Sequence, residues 1–274
     1  MKTLKSNLKL SGNGLMTNQN TVFDMHPSNE KGIRFHINNS IIEANVNNVV
    51  STEHCVVLAD VQSGAKNKIA LIEHFMAALA IKEIDALDIF VEGGFETPIF
   101  DGSSKKWIEE FDKIGYTGES IDIEPLKAPV YFEKGKSSVV LLPSDKTKIT
   151  YAVNFNHPDL KNRWVNYENN IDEIIEARTF GYLKDLETFQ KMGYSLGVTI
   201  ENTVGLKDDG TYTTELRSEF EPCKHKILDI MGDLYLTGYN PFKLNMNVIV
   251  KEAGHGYHIE CAKMLLKNLK DKEK

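Results

Sequence analysis

The chain has 274 residues, of which 41% are hydrophobic and 26% charged, and its formal net charge is −7 at pH 7. This composition is typical of a globular protein with a well-buried core and about one or two domains. The negative charge argues against a general nucleic-acid-binding protein, which needs basic patches to contact phosphates. The N-terminus has no apolar signal segment and no later run is long enough to span a membrane, so we expect a protein of the cytoplasm without a membrane span.

In the N-terminal half, short runs of β-branched and apolar residues are separated by Asn, Gly and Ser clusters, which are turn signals. A run of helix-forming residues over 68–84 places Leu71 and Leu79 on one broad apolar face. A turn at Asp101 precedes a second amphipathic helix. The predicted strands cover 21–25, 32–37, 40–50 and 86–93.

The C-terminal half repeats this mixture of strands and helices. Prolines near 120–128 indicate a linker between a domain at 1–121 and a second domain at 127–274. Each half combines strands with two helices, so the sequence predicts an α+β fold in which each domain is a sheet with helices packed on it. The predicted elements are strands over 137–143 and 148–155, helices near 170–181 and over 221–238, and a last helix after His255.

The helix over 221–238 carries a polar stripe in a largely apolar sequence. His225, Asp229 and Asp233 are spaced four apart and lie above one another on one face. His and Asp one turn apart can both reach a single Zn²⁺, which still needs a third ligand from elsewhere. The alternative is an ordinary histidine–aspartate hydrogen bond on a solvated face.

The candidate third ligand lies on the other strongly apolar helix, where Glu73 directly precedes His74. Adjacent helical residues point about 100° apart, so His74 can bind a metal while Glu73 reaches a water molecule beside it. This arrangement suits metal-assisted hydrolysis. A rival pair, Glu53 and His54, opens a β-branched run and is assigned to the surface.

Near the C-terminus, His255 lies between two glycines at the turn before the last helix. Glycines allow a close approach of backbone and histidine to a ligand, so His255 is a candidate general acid. An exposed turn histidine is the alternative, and His258 is a weaker candidate for binding a metal.

A series of sequence blocks carries a resemblance to one family. In this order along the chain, the blocks resemble the zinc-dependent UDP-3-O-acyl-N-acetylglucosamine deacetylases of lipid A biosynthesis, and together they cover most of the chain. The blocks are "SGNGL" (11–15), "IEHFMAALA" (72–80), "ETPIFDGSS" (96–104), "NFNHPDL" (154–160), "EARTFGYLKDLE" (176–187), "KHKILDIMGDLYLTG" (224–238) and "GH" (254–255).

The resemblance implies a zinc site and a set of catalytic groups at matching positions. Two residues of the polar stripe, His225 and Asp229, are then metal ligands, and the third, Asp233, is a further acidic residue of the site. The implied roles are zinc ligands for His74, His225 and Asp229, general base for Glu73, general acid for His255 oriented by Asp233, oxyanion contact for Thr179, substrate contact for Phe180, and phosphate contact for Lys226 and Lys251.

The resemblance also implies two β-α-α-β domains with the active site between them, each domain carrying a small insert. The implied substrate is a UDP-linked acylated amino sugar, and the implied products are acetate and a free amine. The second insert would line a passage for the acyl chain, which we place at 189–206. Leu196 and Val198 belong there to an alternation that predicts a strand with one apolar face, although an ordinary core edge is the alternative. We expect a monomer.

The chain departs from the family pattern at three places, one of which is the second insert, where "SLGVTIEN" replaces a more Gly-rich version. Met16 and Asn18 stand where the pattern Gly-Leu-His-Ser/Thr-Gly has His and the second Gly. The approach to the general acid, "KEAGH", is one residue longer than Lys-Ser-Gly-His, which leaves open whether His255 or His258 faces the site. Two other functions stay open: a related zinc amidase for another N-acetylated sugar, and a non-catalytic protein that binds nucleotide sugars.

Overall fold

The computed structural model describes residues 1–62, 64–168 and 170–270. Its N-terminal half contains two helices, α1 (Glu73–Ile81) and α2 (Lys105–Ile114). The strands of this half are β1 (Thr3–Leu4), β2 (Leu8–Asn13), β3 (Asn20–Pro27), β4 (Gly32–Ile37), β5 (Ser40–Glu43), β6 (Val49–Ser51), β7 (Val57–Ala59), β8 (Lys68–Ala70), β9 (Ala86–Gly93) and β10 (Tyr116–Thr117).

The main sheet of this half has five strands in the order β2-β3-β9-β4-β5. The central strand β9 runs antiparallel to β3 and parallel to β4. Alternation along β3 buries Phe23 and Met25 completely, while their neighbours are more exposed. This two-residue period is what a sheet with one face against a core requires. Strands β6, β7 and β8 form a small separate sheet.

The C-terminal half is built in the same way. Its main sheet has five strands in the order β11-β12-β17-β13-β14. Its strands are β11 (Val130–Lys134), β12 (Ser137–Pro143), β13 (Lys148–Val153), β14 (Arg163–Tyr167), β15 (Thr179–Tyr182), β16 (Thr203–Leu206) and β17 (Met246–Lys251). Its helices are α3 (Asp172–Ile175), α4 (Leu183–Lys191), α5 (Glu221–Tyr235) and α6 (His255–Lys270).

The two sheets share one topology, although the sequence contains no residue-level repeat. In each half, two hairpins are followed by an extra segment, a helix, the central strand and a second helix. The central strand β17 pairs antiparallel with β12 and parallel with β13, as β9 does with β3 and β4. The predicted α+β fold with an insert in each half is confirmed. The domain boundaries 1–121 and 127–274 stay predictions, and residues 271–274 lie outside the described part of the chain.

The helix predicted over 68–84 is shorter than expected. Residues Lys68–Ala70 form strand β8, which pairs with β7, and Ala70 also bridges to Glu96. Leu71 has a positive φ of 60°, which ends the strand and excludes this residue from the helix. Because the helix begins at Glu73, Glu73 and His74 lie in its first turn.

The strand predicted for 189–206 is wrong over most of its length. Helix α4 continues to Lys191, turns follow, and strand structure begins only at Thr203. The alternating side chains of Tyr194, Leu196 and Ile200 are largely exposed. The apolar alternation therefore does not form one buried face of a strand.

Helices α1 and α5 pack against each other and join the two halves. One continuous hydrophobic cluster includes buried residues of both sheets and of both helices. The closest approach is at Gly232, where a Cβ atom would lie 2.0 Å from the carbonyl oxygen of Glu73. A residue without a side chain is therefore needed at this crossing. Within the described residues, no helix combines the length and the apolar character that crossing a membrane requires.

We expect Gly232→Ala to lower the free energy of unfolding by about 1–3 kcal/mol, the usual cost of overpacking a core. The methyl group would force α1 and α5 apart, because the atom it meets belongs to the backbone. Denaturant unfolding of the variant measures this loss. Gly181→Ala is the matched control, since a Cβ atom there meets nothing within 4 Å. Equal stability of the two variants would contradict the proposed contact.

Candidate metal centre and active-site cleft

Three buried side chains from α1 and α5 converge at the helix crossing, and we call them the metal cluster: His74, His225 and Asp229. His74 Nε2 lies 3.3 Å from Asp229 Oδ1, and His225 Nε2 lies 3.4 Å from Asp229 Oδ2. One potential ligand atom from each residue lies within 4.8 Å of the others. His225 and Asp229 meet because they are one helical turn apart, whereas His74 arrives from the other half of the chain.

The metal cluster has polar atoms that the described protein leaves unsatisfied. Asp229 Oδ1 and His225 Nδ1 are buried and have no hydrogen-bond partner among the described residues. His74 Nε2 is close to Asp229 Oδ1, but the two atoms do not meet in hydrogen-bond geometry. A buried carboxylate oxygen without a donor is costly unless a cation satisfies it.

The protonation states of the cluster also suit a cation. Burial lowers the pKa of His225 well below its ordinary value, so the imidazole is neutral. Burial disfavours the charged form of Asp229 as well, but Lys226 and His255 add positive charge and its pKa lies well below the ordinary value. Neutral imidazole and ionised carboxylate are the forms that bind a metal. Two imidazoles and one carboxylate fit a catalytic zinc site, which keeps one position open.

Glu73 lies beside the metal cluster in the first turn of α1. Its Oε2 accepts a hydrogen bond from the Val56 backbone N–H at 3.2 Å, which fixes the carboxyl group. Burial raises the pKa of Glu73; nearby His255 opposes this effect and Asp229 adds to it. A carboxyl group with a raised pKa is suited to exchange a proton near neutral pH.

His255 reaches the same site from the start of α6. Its Nε2 lies 3.9 Å from Glu73 Oε1 and 3.8 Å from Asp229 Oδ2. Its Nδ1 is 2.8 Å from Asp233 Oδ2 and donates a hydrogen bond to that carboxylate. Burial works against the charged imidazolium, but Asp233 and Asp229 outweigh it and raise the pKa of His255 to about 9. His255 is therefore protonated at neutral pH.

His258 does not face the site, which resolves the alternative left open by the longer "KEAGH" loop. Its ring is fully buried, with Nδ1 2.8 Å from Asp233 Oδ2 and Nε2 2.8 Å from the Tyr151 hydroxyl. Burial lowers the pKa of His258, which favours the neutral ring. Asp233, His255 and His258 could also surround a cation. However, both histidines use Nδ1 for a hydrogen bond to the same carboxylate oxygen.

Thr179 and Phe180 begin strand β15 and line the site. The Thr179 backbone N–H donates to the Gly102 carbonyl at 2.9 Å. The Phe180 ring meets the His225 ring edge-on, with 5.4 Å between the ring centroids. An ion pair that was not predicted from the sequence holds this strand to α5: Arg178 Nε and Nη2 donate to the two carboxylate oxygens of Glu221 at 2.8 and 3.0 Å.

The two lysines predicted near the substrate phosphates lie in different surroundings. The Lys226 ammonium is largely buried and donates to Asp229 Oδ2, so it contacts the metal cluster. Lys251 is exposed at the end of β17. Their proposed contacts with phosphates stay predictions.

A cleft of about 320 Å³ connects these polar groups to an apolar wall. Glu73, His74, Thr179, His225 and His255 line it together with Phe180. Val198 also lines the cleft, but Leu196 is not one of the lining residues among those described; its side chain is 44% exposed. The apolar wall is formed by Leu15, Met16, Leu71, Ile99, Val198 and Ile200.

One contact across this cleft is not predictable from the sequence. His54, assigned to the surface, lines the cleft although it is exposed, and its ring meets the Phe189 ring with 5.5 Å between centroids. Only the fold brings these two residues together, because they come from the extra segments of opposite halves. No local sequence signal could have found the pair.

The structure explains the departure from the family pattern at Asn18 and shows where Met16 lies. Asn18 has a φ of 57°, and asparagine tolerates this left-handed conformation better than most residues that could replace a glycine. Met16 lines the cleft, while its backbone N–H donates to Glu96 at 2.7 Å and its carbonyl accepts from Leu196 N–H at 2.9 Å. Met16 thus joins the N-terminal segment to the second insert.

Comparisons with known proteins identify the family of the chain. The profile of the family described as "LpxC: UDP-3-O-acyl N-acetylglycosamine deacetylase" matches residues 1–267. A UDP-3-O-acyl-N-acetylglucosamine deacetylase of Leptospira biflexa serovar Patoc is 34% identical over 99% of this chain and 91% of its own length. The protein of that name from Aquifex aeolicus is 34% identical over 98% of this chain and 94% of its own length. The protein of that name from Thermodesulfovibrio yellowstonii is 31% identical over 97% of this chain and 91% of its own length.

We expect His74→Ala and Asp229→Ala each to lose most of the bound zinc, because a three-ligand site depends on every ligand. Zinc per chain, measured by elemental analysis after gel filtration, is the readout. His26→Ala is the control, since His26 pairs with Asp24 at 2.9 Å and is not part of the metal cluster. Wild-type zinc content in both ligand variants would refute the assignment.

Proposed function

The chain belongs to the UDP-3-O-acyl N-acetylglycosamine deacetylase family, and from this premise we propose that it hydrolyses the N-acetyl group of UDP-3-O-acyl-N-acetylglucosamine in a zinc-dependent reaction of lipid A biosynthesis. The products are acetate and UDP-3-O-acyl-glucosamine. The observation that supports the proposal is that two buried titratable side chains, Glu73 and His255, lie beside the metal cluster, with 3.9 Å between Glu73 Oε1 and His255 Nε2.

The metal cluster holds the cofactor in this proposal. His74, His225 and Asp229 would hold a zinc ion, which would supply Lewis acidity and lower the pKa of a water molecule toward about 7. Lys226 keeps Asp229 ionised through its hydrogen bond and so supports the ligand set. The Phe180 ring packs on His225 and limits the movement of that ligand.

Glu73 acts on the attacking water. Its carboxylate takes one proton from the water while the water oxygen bonds to the acetyl carbon. Negative charge then develops on the acetyl oxygen, and the Thr179 hydroxyl, which lines the same cleft, donates a hydrogen bond to it. The Val56 N–H holds Glu73 in place throughout, so little reorganisation is needed.

His255 completes the reaction by protonating the leaving nitrogen. The bond between the acetyl carbon and nitrogen breaks, the electron pair stays on nitrogen, and the proton from His255 Nε2 yields the free amine. Asp233 holds Nδ1 of the same ring at 2.8 Å, which keeps Nε2 directed at the site. Acetate leaves with the oxygen of the water.

The apolar wall of the cleft supports an acylated substrate. Met16, Val198 and Ile200 offer apolar surface beside the metal cluster, where a fatty acyl chain gains free energy by leaving water. Lys226 and Lys251 are the proposed source of positive charge for the nucleotide phosphates in a chain of net charge −7. The expected monomer and the expected cytoplasmic location stay predictions.

Acetate release from a series of UDP-3-O-acyl-N-acetylglucosamines and from UDP-N-acetylglucosamine tests the substrate. Preference for the acylated series is expected, because the unacylated sugar leaves the apolar wall in contact with water. Equal or better turnover of the unacylated sugar favours an amidase for another N-acetylated sugar. Binding without acetate release favours a non-catalytic protein that binds nucleotide sugars. Such a protein would not need a base at Glu73 together with an acid at His255.

We expect Glu73→Gln to keep its zinc and to lower turnover by about 10²–10⁴, the usual contribution of positioned proton transfer. Glutamine preserves the shape and the contact with Val56 but cannot take a proton from water. Acetate release per bound zinc is the measurement. A variant that loses zinc as completely as Asp229→Ala would make Glu73 a ligand.

The rate should have a bell-shaped dependence on pH. Activity is lost at low pH as Glu73 takes up a proton, and lost at high pH as His255 releases the proton that it must donate. Asp233 raises the pKa of His255, so Asp233→Asn should move the alkaline limb to lower pH. The pH dependence of kcat for the wild type and the variant tests this. An unchanged alkaline limb would mean that another group sets it.

A further inference from the structure

Three polar contacts hold the short segment that leads into His255. Glu252 N–H donates to the Ala152 carbonyl at 2.8 Å, and the Glu252 carbonyl accepts from Ser137 Oγ at 2.6 Å. The next carbonyl, that of Ala253, lies 2.7 Å from the Tyr151 hydroxyl. Glu252 itself has a φ of 45°, so the chain turns sharply at this residue. These bonds fix the path of the longer "KEAGH" loop.

Tyr151 connects this loop to a second buried histidine. Its hydroxyl is 2.8 Å from His258 Nε2 as well as 2.7 Å from the Ala253 carbonyl. The side chains of Tyr151 and His258 are both fully buried. On the other side of its ring, His258 Nδ1 is 2.8 Å from Asp233 Oδ2. A continuous chain of polar contacts therefore runs from Ala253 through Tyr151 and His258 to Asp233.

The proton count of this chain shows what His258 does for Asp233. A carboxylate only accepts hydrogen bonds, so the Nδ1 atoms of His255 and His258 both carry a proton toward Asp233 Oδ2. Asp233 Oδ1 is buried and has no partner among the described residues. If His258 were removed, His255 would be the one remaining donor to this buried carboxylate among the described residues, and Asp233 would lose half of the hydrogen bonds that orient it.

We propose that His258 and Tyr151 are positioning residues for the general acid. His258 donates through Nδ1 to the Asp233 carboxylate, and the Tyr151 hydroxyl, which has one proton to donate, contacts both His258 Nε2 and the Ala253 carbonyl. Together these contacts keep Nε2 of His255 directed at Glu73. Neither residue lines the cleft within the described part of the chain, so neither touches the substrate. The inference rests on the proposed function in one respect, the role of His255 as the acid.

His258→Phe tests the proposal because it keeps a planar ring and removes both nitrogens. We expect kcat per bound zinc to fall about 10–100-fold, the usual effect of removing a partner that orients an active-site group. KM and zinc content should not change, since the substrate and the metal are held elsewhere. Tyr151→Phe removes only the hydroxyl and should lower kcat less.

His258→Asn is the rescue variant. Its side-chain amide can again donate a proton toward Asp233 from close to the position of Nδ1, so it should regain part of the kcat that His258→Phe loses. Cys261→Ala is the control for packing, because Cys261 is fully buried on the same helix and its thiol faces the Val139 carbonyl. It should lower stability and leave kcat per bound zinc unchanged. If His258→Asn is no more active than His258→Phe, or if Cys261→Ala lowers kcat as much, the effect is packing and the proposal fails.

The nitrogen chemical shifts of the His255 ring give a readout that needs no substrate. Above the pKa of His255, the wild-type ring should carry its proton on Nδ1, and His258→Phe should give a mixture of tautomers. Unchanged shifts together with an unchanged kcat would overturn the proposal. A changed tautomer in a protein that releases no acetate would instead support the positioning role and refute the proposed function.

Discussion

The contact between α1 and α5 is the constraint on which the site depends. Gly232 lets the two backbones approach so closely that a Cβ atom would lie 2.0 Å from the Glu73 carbonyl. This approach puts His74, from one half, within 3.3 Å of Asp229, from the other. A carboxylate and imidazoles that are buried in this way are unfavourable by themselves. The apolar packing around the helix crossing therefore has to hold together groups that a cation would stabilise.

The repeated topology explains why both halves contribute to one site. In each half, the helix before the central strand reaches the crossing, and the helix after that strand begins beside it. The first residue of α6 is His255, the proposed acid. Just before α2, Ser104 Oγ donates to the His74 carbonyl at 2.7 Å and supports the first turn of α1. The starts of α6 and α2 are thus equivalent positions in the fold. The start of α6 carries the proposed acid, whereas the residue before α2 supports the first turn of α1.

The sequence predicts what depends on local spacing and misses what depends on distant contacts. His225 and Asp229 were recognisable because one helical turn brings them together, and helix α5 begins at the predicted residue, Glu221, although it ends at Tyr235, three residues before the predicted end. Lys68–Ala70 was wrongly assigned to a helix because its pairing with β7 is non-local. The role of His258 was left open for the same reason, since its partner Tyr151 lies 107 residues away in the sequence. The insert has no helix or strand between α4 and β16, so its alternation of apolar residues gave a false strand.

The proposed acid, His255, and the proposed base, Glu73, can coexist at this site because two different causes act on their pKa values. Burial raises the pKa of Glu73, which makes a carboxylate basic enough to take a proton from water. Burial alone would make His255 neutral and useless as an acid, but the carboxylates of Asp233 and Asp229 reverse that effect. The site therefore needs more carboxylates than the metal cluster itself uses. This explains why the polar stripe of α5 continues to Asp233, one turn beyond the last ligand, in a helix that is otherwise largely apolar.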